Sequence, residues 1–378
     1  MERNGERILN GYNLAANPWN PSSHHALIMI DLRSDTVTRP TPDMRIAIAD
    51  AVVGDAVIDM DPTTDRLERL TAEILGKEAA IFMPSGSMTN QIAIRIHCDR
   101  GSEFICENNC HIYNYEQAAF AQLSGLVAQT VAGTDGIMVV EQLRHLIRPE
   151  NEHMVRTRLV CLENTHNRAG GRMQPPGVVE SICQWAHDHG LKTHLDGARL
   201  WNAAMASGIS EAELSKPFDS LSVCFSKGLG APVGSALAGS KEFVAEARRV
   251  RKLFGGAMRQ SGMIAAGALF ALSHHRERLV EDHENAQTIG DAVRDSECLR
   301  IIGGSIDTNI IAFAIDESWG TAAQFVKRLE ENGVACFAIG PQAIRMVTHL
   351  DVSHAQIDQA CEILRRVAAS SPYVMAVH

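Results

Sequence analysis

From about Asp43 onward, short apolar runs alternate with longer amphipathic segments, and few folds accommodate that pattern. Candidate strands fall at Ala79–Met83, Glu103–Cys106, Leu126–Val131, Arg158–Glu163, Lys192–Asp196, Ser220–Phe225 and Ser235–Gly239. Helical segments lie between most of them. From Thr64 to Leu75, Leu67, Leu70 and Ile74 share one face and Gly76 follows as a stop; Val178–His189 is stopped by Gly190. Such alternation predicts an α/β fold, with a mostly parallel seven-stranded sheet covered on both faces. Ligands of such sheets bind beyond the carboxyl ends of the strands.

After Lys241 the rhythm changes. Three helical stretches reach about Ser296, followed by strands near Leu299–Ile302 and Asn309–Ile315 and a helix at Thr321–Asn332. Val334–Ala338 and Ala343–Thr348 are strand-like, and a last helix opens with the capping box of Ser353 and Gln356. The expected division is an extension over residues 1–25, a large domain over 26–265 and a small C-terminal α/β domain over 266–378.

The formal charge of −10 argues against a nucleic-acid partner, which needs clustered Lys and Arg. No apolar run approaches the roughly 18 residues that span a bilayer. Nine cysteines at irregular spacing, several of them in apolar runs, read as reduced thiols of a cytoplasmic protein rather than a disulfide framework. The first 25 residues lack both an apolar secretory core and an Arg-rich amphipathic face.

Three segments carry chemistry. Lys192–Arg199 reads as a strand ending in Asp196, then a glycine turn and a helix; the carboxylate faces the ligand crevice or else caps the helix. In Ser220–Gly234 an apolar strand runs into Ser226 and Lys227, with Gly228, Gly230 and Gly234 behind. A lysine there is costly to bury as a cation, and a partly desolvated amine is suited to imine formation. In Phe82–Asn90, a strand, a loop of small residues and a helix start make a phosphate cradle from backbone N–H groups with the Ser85 and Ser87 hydroxyls. Asp196 and Lys227 stand roughly 30 residues apart, about one βαβ unit. Cradle, carboxylate and lysine in that order match what pyridoxal phosphate requires: a phosphate anchor, an anion at the pyridine nitrogen and an imine lysine.

Two histidines fall at the same sheet edge. His111 follows the strand at 103 and could stack on a flat ring; His166 follows the strand at 158 and is placed to move protons. A competing set of metal ligands, His166, His194 and Asp196, lacks a spacing such as H-E-x-x-H. His187, His189, His274 and His275 lie on predicted helices and read as solvated.

Beyond these local arguments, Ile30–Pro40, Phe82–Asn90, Leu162–Asn167, Leu195–Arg199, Cys224–Ser235 and Gly255–Gly262 strongly resemble the low-specificity L-threonine aldolases, within the β-eliminating lyase group of fold-type-I pyridoxal phosphate enzymes. The resemblance runs from about Asp31 to the C-terminus. It implies that Lys227 forms the Schiff base, Asp196 faces the pyridine nitrogen, His111 stacks on the ring, and Ser85, Gly86 and Ser87 hold the phosphate. It further implies that Arg199, Arg345 and Ser34 grip the substrate carboxylate and that His166 lies near the β-hydroxyl. Lys252 and Arg259 would reach a neighbouring subunit's site, since the family is usually a tetramer of close dimers.

The implied reaction is cleavage of a β-hydroxy-α-amino acid to glycine and an aldehyde, with alanine racemisation as the alternative of the same family. Two departures stand out. Ile58, Asp59 and Met60 occupy positions that usually carry Tyr, Gly and an acid, and Ser87 replaces the usual Thr of the phosphate loop.

Overall fold

A computed structural model describes residues 29–370, so the extension expected at residues 1–25 lies outside the described residues. Strand β1 (Ile30–Asp31) is the first element among the described residues. Then come β2 (Ala79–Met83), β3 (Glu103–Glu107), β4 (Val127–Val131), β5 (Thr157–Glu163), β6 (Lys192–Gly197), β7 (Ser220–Cys224) and β8 (Ser235–Gly239). These seven form one sheet in the order β2-β8-β7-β6-β5-β3-β4. Only β8 runs antiparallel to its neighbours, as the mostly parallel expectation required.

Every residue of β3, β7 and β8 is buried, which is why these strands read as continuous rather than alternating apolar runs. One face of the sheet packs on a core that includes Leu195, Leu221, Val223, Phe225, Trp185 and Leu200. Smaller clusters around Phe104 with Ile94, and around Ile81 with Ile92, cover the rest. The helix at Pro62–Ile74 starts two residues before the expected Thr64, because Asp61 caps it and a proline suits its first position. Its end at Gly76, and that of the Pro176–Asp188 helix at Gly190, use left-handed glycines with φ of 61° and 71°.

The later chain adds β9 (Leu299–Ile301), β10 (Ile310–Ile315), β11 (Val334–Ala335), β12 (Phe337–Ala338) and β13 (Ala343–Val347). An antiparallel sheet of order β12-β13-β10-β9 packs on helices including His354–Ala368, whose Ser353–Gln356 capping box and buried Ile357, Cys361, Leu364 and Val367 match the sequence pattern. The strand expected at Val334–Ala338 is split at buried Cys336. Val334 and Ala335 pair in parallel with β1, while Phe337 and Ala338 pair with β13. The N-terminal strand competes for the first half, so one segment serves two sheets. Ile30 and Leu32 accordingly sit in the second core with Phe313, Phe325 and Val334.

Candidate active site

In the large sheet the chain order reverses around β3: β4 lies to one side and β5 to the other. Crevices form beyond the carboxyl ends of strands at such points. Asp196 is the penultimate residue of β6, and the segments leaving β3, β5 and β7 carry His111, His166 and Lys227 respectively.

Asp196 is 3% exposed. It does not cap the next helix, Leu200–Ser207, whose N-cap residue is Arg199. Its Oδ2 accepts from Asn90 Nδ2 at 2.9 Å and its Oδ1 from the Ala198 N–H at 3.2 Å. Both donors are neutral, and no cation pairs with this buried carboxylate among the described residues. Burial of an anion is costly without one, so the site asks for a cationic N–H.

Lys227 is half-buried in the turn after β7, and its charge bears on both Asp35 and His111. The turn is held from below. His275, expected on a solvated face, is instead buried and hydrogen-bonds the Leu229 carbonyl at 2.7 Å, because its helix ends under the lysine turn.

The phosphate-cradle candidates open the helix at Gly86–His97. Ser85 caps it, its hydroxyl accepting from the Met88 N–H at 3.3 Å. The N–H groups of Gly86 and Ser87 make no hydrogen bond among the described residues, leaving two donors for an anion.

His111 is half-buried, with Nδ1 2.9 Å from Glu116 Oε1. Its backbone N–H donates to Glu163 Oε2 at 2.7 Å, while Glu163 Oε1 accepts from the Asn167 N–H at 2.8 Å. One carboxylate at the end of β5 therefore ties together the loops that bear His111 and His166. His166 is 1% exposed and both its nitrogens are engaged. Nε2 lies 3.0 Å from Glu107 Oε2, and Nδ1 accepts from the Ala169 N–H at a longer 3.3 Å. Burial works against protonation of His166, but Glu107, joined by the charges of Glu163 and Asp196, outweighs it and raises the pKa above the ordinary value.

His194 is fully enclosed, its nitrogens on Ser220 Oγ and Asn90 Oδ1, and burial pushes its pKa down to about 3. Among the described residues no ligand cluster combines His166, His194 and Asp196.

The arginines differ in their surroundings. Arg199 is 5% exposed and donates from Nε and Nη2 to the two oxygens of Asp35, each at 2.7 Å. Ser34 caps the short turn that presents Asp35, its Oγ accepting from Thr36. Arg345 on β13 donates to Asn167 Oδ1 at 3.1 Å and the Arg33 carbonyl at 3.2 Å, while its Nε is buried without a partner. Asp351, the protein carboxylate that an Arg345 in this strand could otherwise pair with, accepts from the Arg39 N–H instead. Lys252 stands exposed in the last turn of the Lys241–Leu253 helix, and Arg259 pairs with Asp55 at 2.7 Å; neither joins the crevice residues by a hydrogen bond within the chain. Ile58 is 78% exposed.

Glu107, Glu116, Glu163 and Asn90 went unrecognised in the sequence. Glu107 and Glu163 could have been noticed as acids ending apolar strands; Glu116 carries no local signal.

Residues 31–318 match the beta-eliminating lyase family. A low-specificity L-threonine aldolase of Arabidopsis thaliana is 43% identical over 87% of this chain and 93% of its own length. The low specificity L-threonine aldolase of Escherichia coli K12 is 39% identical over 87% of this chain and 96% of its own. A solved threonine aldolase of Leishmania major shares the fold, with a TM-score of 0.79 at 20% identity, covering 90% of this chain and all of that one. By the span of the family match and the identity to these relatives, the chain belongs to the beta-eliminating lyase family.

Proposed function

We propose that the chain binds pyridoxal phosphate and cleaves L-threonine and L-allo-threonine to glycine and acetaldehyde, with other β-hydroxy-α-amino acids as further substrates. The observation that carries this reading is Asp196, a buried carboxylate with only neutral partners, at the same sheet edge as Lys227. Asp196 would hold the pyridine nitrogen of the cofactor in its protonated form. The free N–H groups of Gly86 and Ser87, with the Ser85 and Ser87 hydroxyls, suit the phosphate, and His111 suits the ring face. Lys227 supplies the amine for covalent attachment. When bound, the cofactor provides the electron sink for the pair released as Cα–Cβ breaks.

The protein's own groups do the rest. Arg345, with its orphaned Nε, binds the substrate carboxylate together with Arg199 and Ser34. Asp35 fixes the Arg199 guanidinium by holding one edge of its fork. His166 accepts the β-hydroxyl proton at Nδ1, directly or through one water, giving up the long Ala169 contact. Glu107 holds Nε2 and stabilises the imidazolium that results.

The same reading extends to assembly and place. Exposed Ile46, Val52, Ile58, Leu253 and Met263 support a homo-oligomer, a dimer or tetramer in which Lys252 and Arg259 complete a neighbour's site. All nine cysteines are free, which supports a reducing, cytoplasmic setting. No helix among the described residues is long and apolar enough to cross a membrane.

The test is to incubate purified protein separately with L-threonine, L-allo-threonine and L-alanine and to assay acetaldehyde and D-alanine. Acetaldehyde from either threonine isomer supports the aldolase reading; D-alanine with no acetaldehyde overturns it in favour of racemisation.

A further inference from the structure

Beneath His111 lies a set of polar contacts that no motif announced. Glu116 is 5% exposed. Oε1 faces His111 Nδ1 at 2.9 Å and accepts from Asn90 Nδ2 at 2.9 Å; Oε2 accepts from Gln91 Nε2 at 2.5 Å. Asn90 is obliged to present its N–H groups here, because its Oδ1 is taken by Ser222 Oγ at 2.8 Å and His194 Nε2 at 3.2 Å. Its amide nitrogen thereby bridges two buried carboxylates, Glu116 and Asp196.

Two anions share one amide, and each needs a positive neighbour. In the proposed function Asp196 finds its cation in the cofactor's pyridine nitrogen. Among the described residues, Glu116 is held by neutral amides except at His111, the side chain hydrogen-bonded to it that can become a cation.

We propose that Glu116 is the positioning residue of His111, fixing the plane of its ring through Nδ1 and keeping that ring protonated, so that a cation lies against the cofactor. The inference rests on the functional reading above only for what is stacked there; the Glu116–His111 relation stands on this chain alone. A positive ring at that place stabilises negative charge developing on the substrate side.

The groups facing His111 fall on both sides of the balance. Burial and the charge of Lys227 disfavour the imidazolium; Glu116 and Asp196 favour it, and the net pKa lies above the ordinary 6.5. The Tyr115 ring is tilted against it at 5.6 Å, and Glu163 accepts its backbone N–H.

The experiment is a histidine NMR titration of the full-length chain without added cofactor, with the His111 signal assigned by its loss in His111→Asn. In the wild type, His111 should titrate above 6.5. In Glu116→Gln the midpoint should fall by about one pH unit or more, and Glu116→Asp should restore part of the shift. A wild-type midpoint below 6.5, or an unchanged midpoint in Glu116→Gln, overturns the proposal. Should the Gln variant fail to fold, Glu116→Asp makes the same comparison, and an unchanged midpoint there also overturns the proposal. Failure of the full-length chain to acquire visible absorbance with pyridoxal phosphate would defeat the functional reading instead, and leave the titration result standing.

Discussion

Asp35 and Arg199 meet as a two-pronged ion pair shielded from water, one residue from the N-terminal segment and the other from the turn after β6. Asn309, at the threshold of β10, adds a third donor to Asp35 at 3.3 Å. The pair thus joins the large sheet's edge to the smaller unit, and it does so at the place proposed for the substrate carboxylate.

Replacing Asp35 by Asn should strand a buried guanidinium and cost about 3–5 kcal/mol of stability. Burial by itself would raise the Asp35 pKa, but Arg199 reverses that and brings it down to about 2. A depressed carboxyl contributes stability that is complete above its unfolded value of 3.8 and lost as pH falls through about 2. Chemical denaturation of wild type and variant at pH 7 and pH 3 measures this: the gap between them should narrow at the lower pH.

Lys227→Ala should abolish covalent capture of the cofactor. Borohydride treatment of the wild type, followed by peptide mapping, should place the reduced adduct on Lys227, and the variant should carry none. Turnover in the variant should drop by roughly a thousandfold or more. Normal turnover without added amine would contradict the role given to this lysine.

Asp196→Asn should keep the fold, because both present partners are neutral donors and one amide oxygen can still accept from them. The cofactor should still bind, while the loss of the anion at the pyridine nitrogen weakens the electron sink. Rate per bound cofactor, quantified by absorbance, is the measurement; a value within a few-fold of wild type would rule out the assignment.

Glu107→Gln should act on rate through His166. With the carboxylate gone, the His166 pKa falls from its raised position, so the acidic limb of the rate profile moves to lower pH. The plateau rate should decrease by roughly 10- to 100-fold, as for loss of other groups that orient a working histidine. A pH profile superimposable on that of the wild type would show that His166 takes no proton in the cycle.

Arg345→Ala should raise KM for L-threonine by roughly 10- to 100-fold, the worth of a charged hydrogen-bonding pair. The visible spectrum should be unaffected, since none of the contacts of Arg345 involves the residues assigned to the cofactor. Unchanged substrate affinity would remove Arg345 from the carboxylate site.

Much of this was legible in the chain. The seven strands of the large sheet appear where buried apolar runs stand between amphipathic helices, and their ends shift by a residue or so where a cap such as Asp61 or a turn intervenes. Asp196 and Lys227 stood out as candidates because a charge at, or just past, the end of an apolar strand advertises itself. What stayed hidden depends on contacts between distant segments. His275 looks like any solvated helical histidine until the Leu229 carbonyl is placed over it. The split at Cys336 exists because β1 arrives from the other end of the chain to claim half a strand. Glu116 reads as one more acid in a loop, and only the fold sets it between Asn90, Gln91 and His111.

The pairing of β1 with β11 also imposes an order on synthesis. Ile30 and Asp31 are among the first described residues to leave the ribosome, yet their partners, Val334 and Ala335, emerge roughly 300 residues later. At about 5–20 residues per second, the strand waits for some tens of seconds with its apolar side uncovered. Over the same interval Ser34 and Asp35, which follow β1, lack the anchor that sets their position. The place proposed for the substrate carboxylate is therefore among the last features to mature, after the large sheet has its full complement of strands. A nascent chain arrested before Val334 would carry Lys227, Asp196 and the proposed phosphate cradle, yet leave the proposed carboxylate site unsettled.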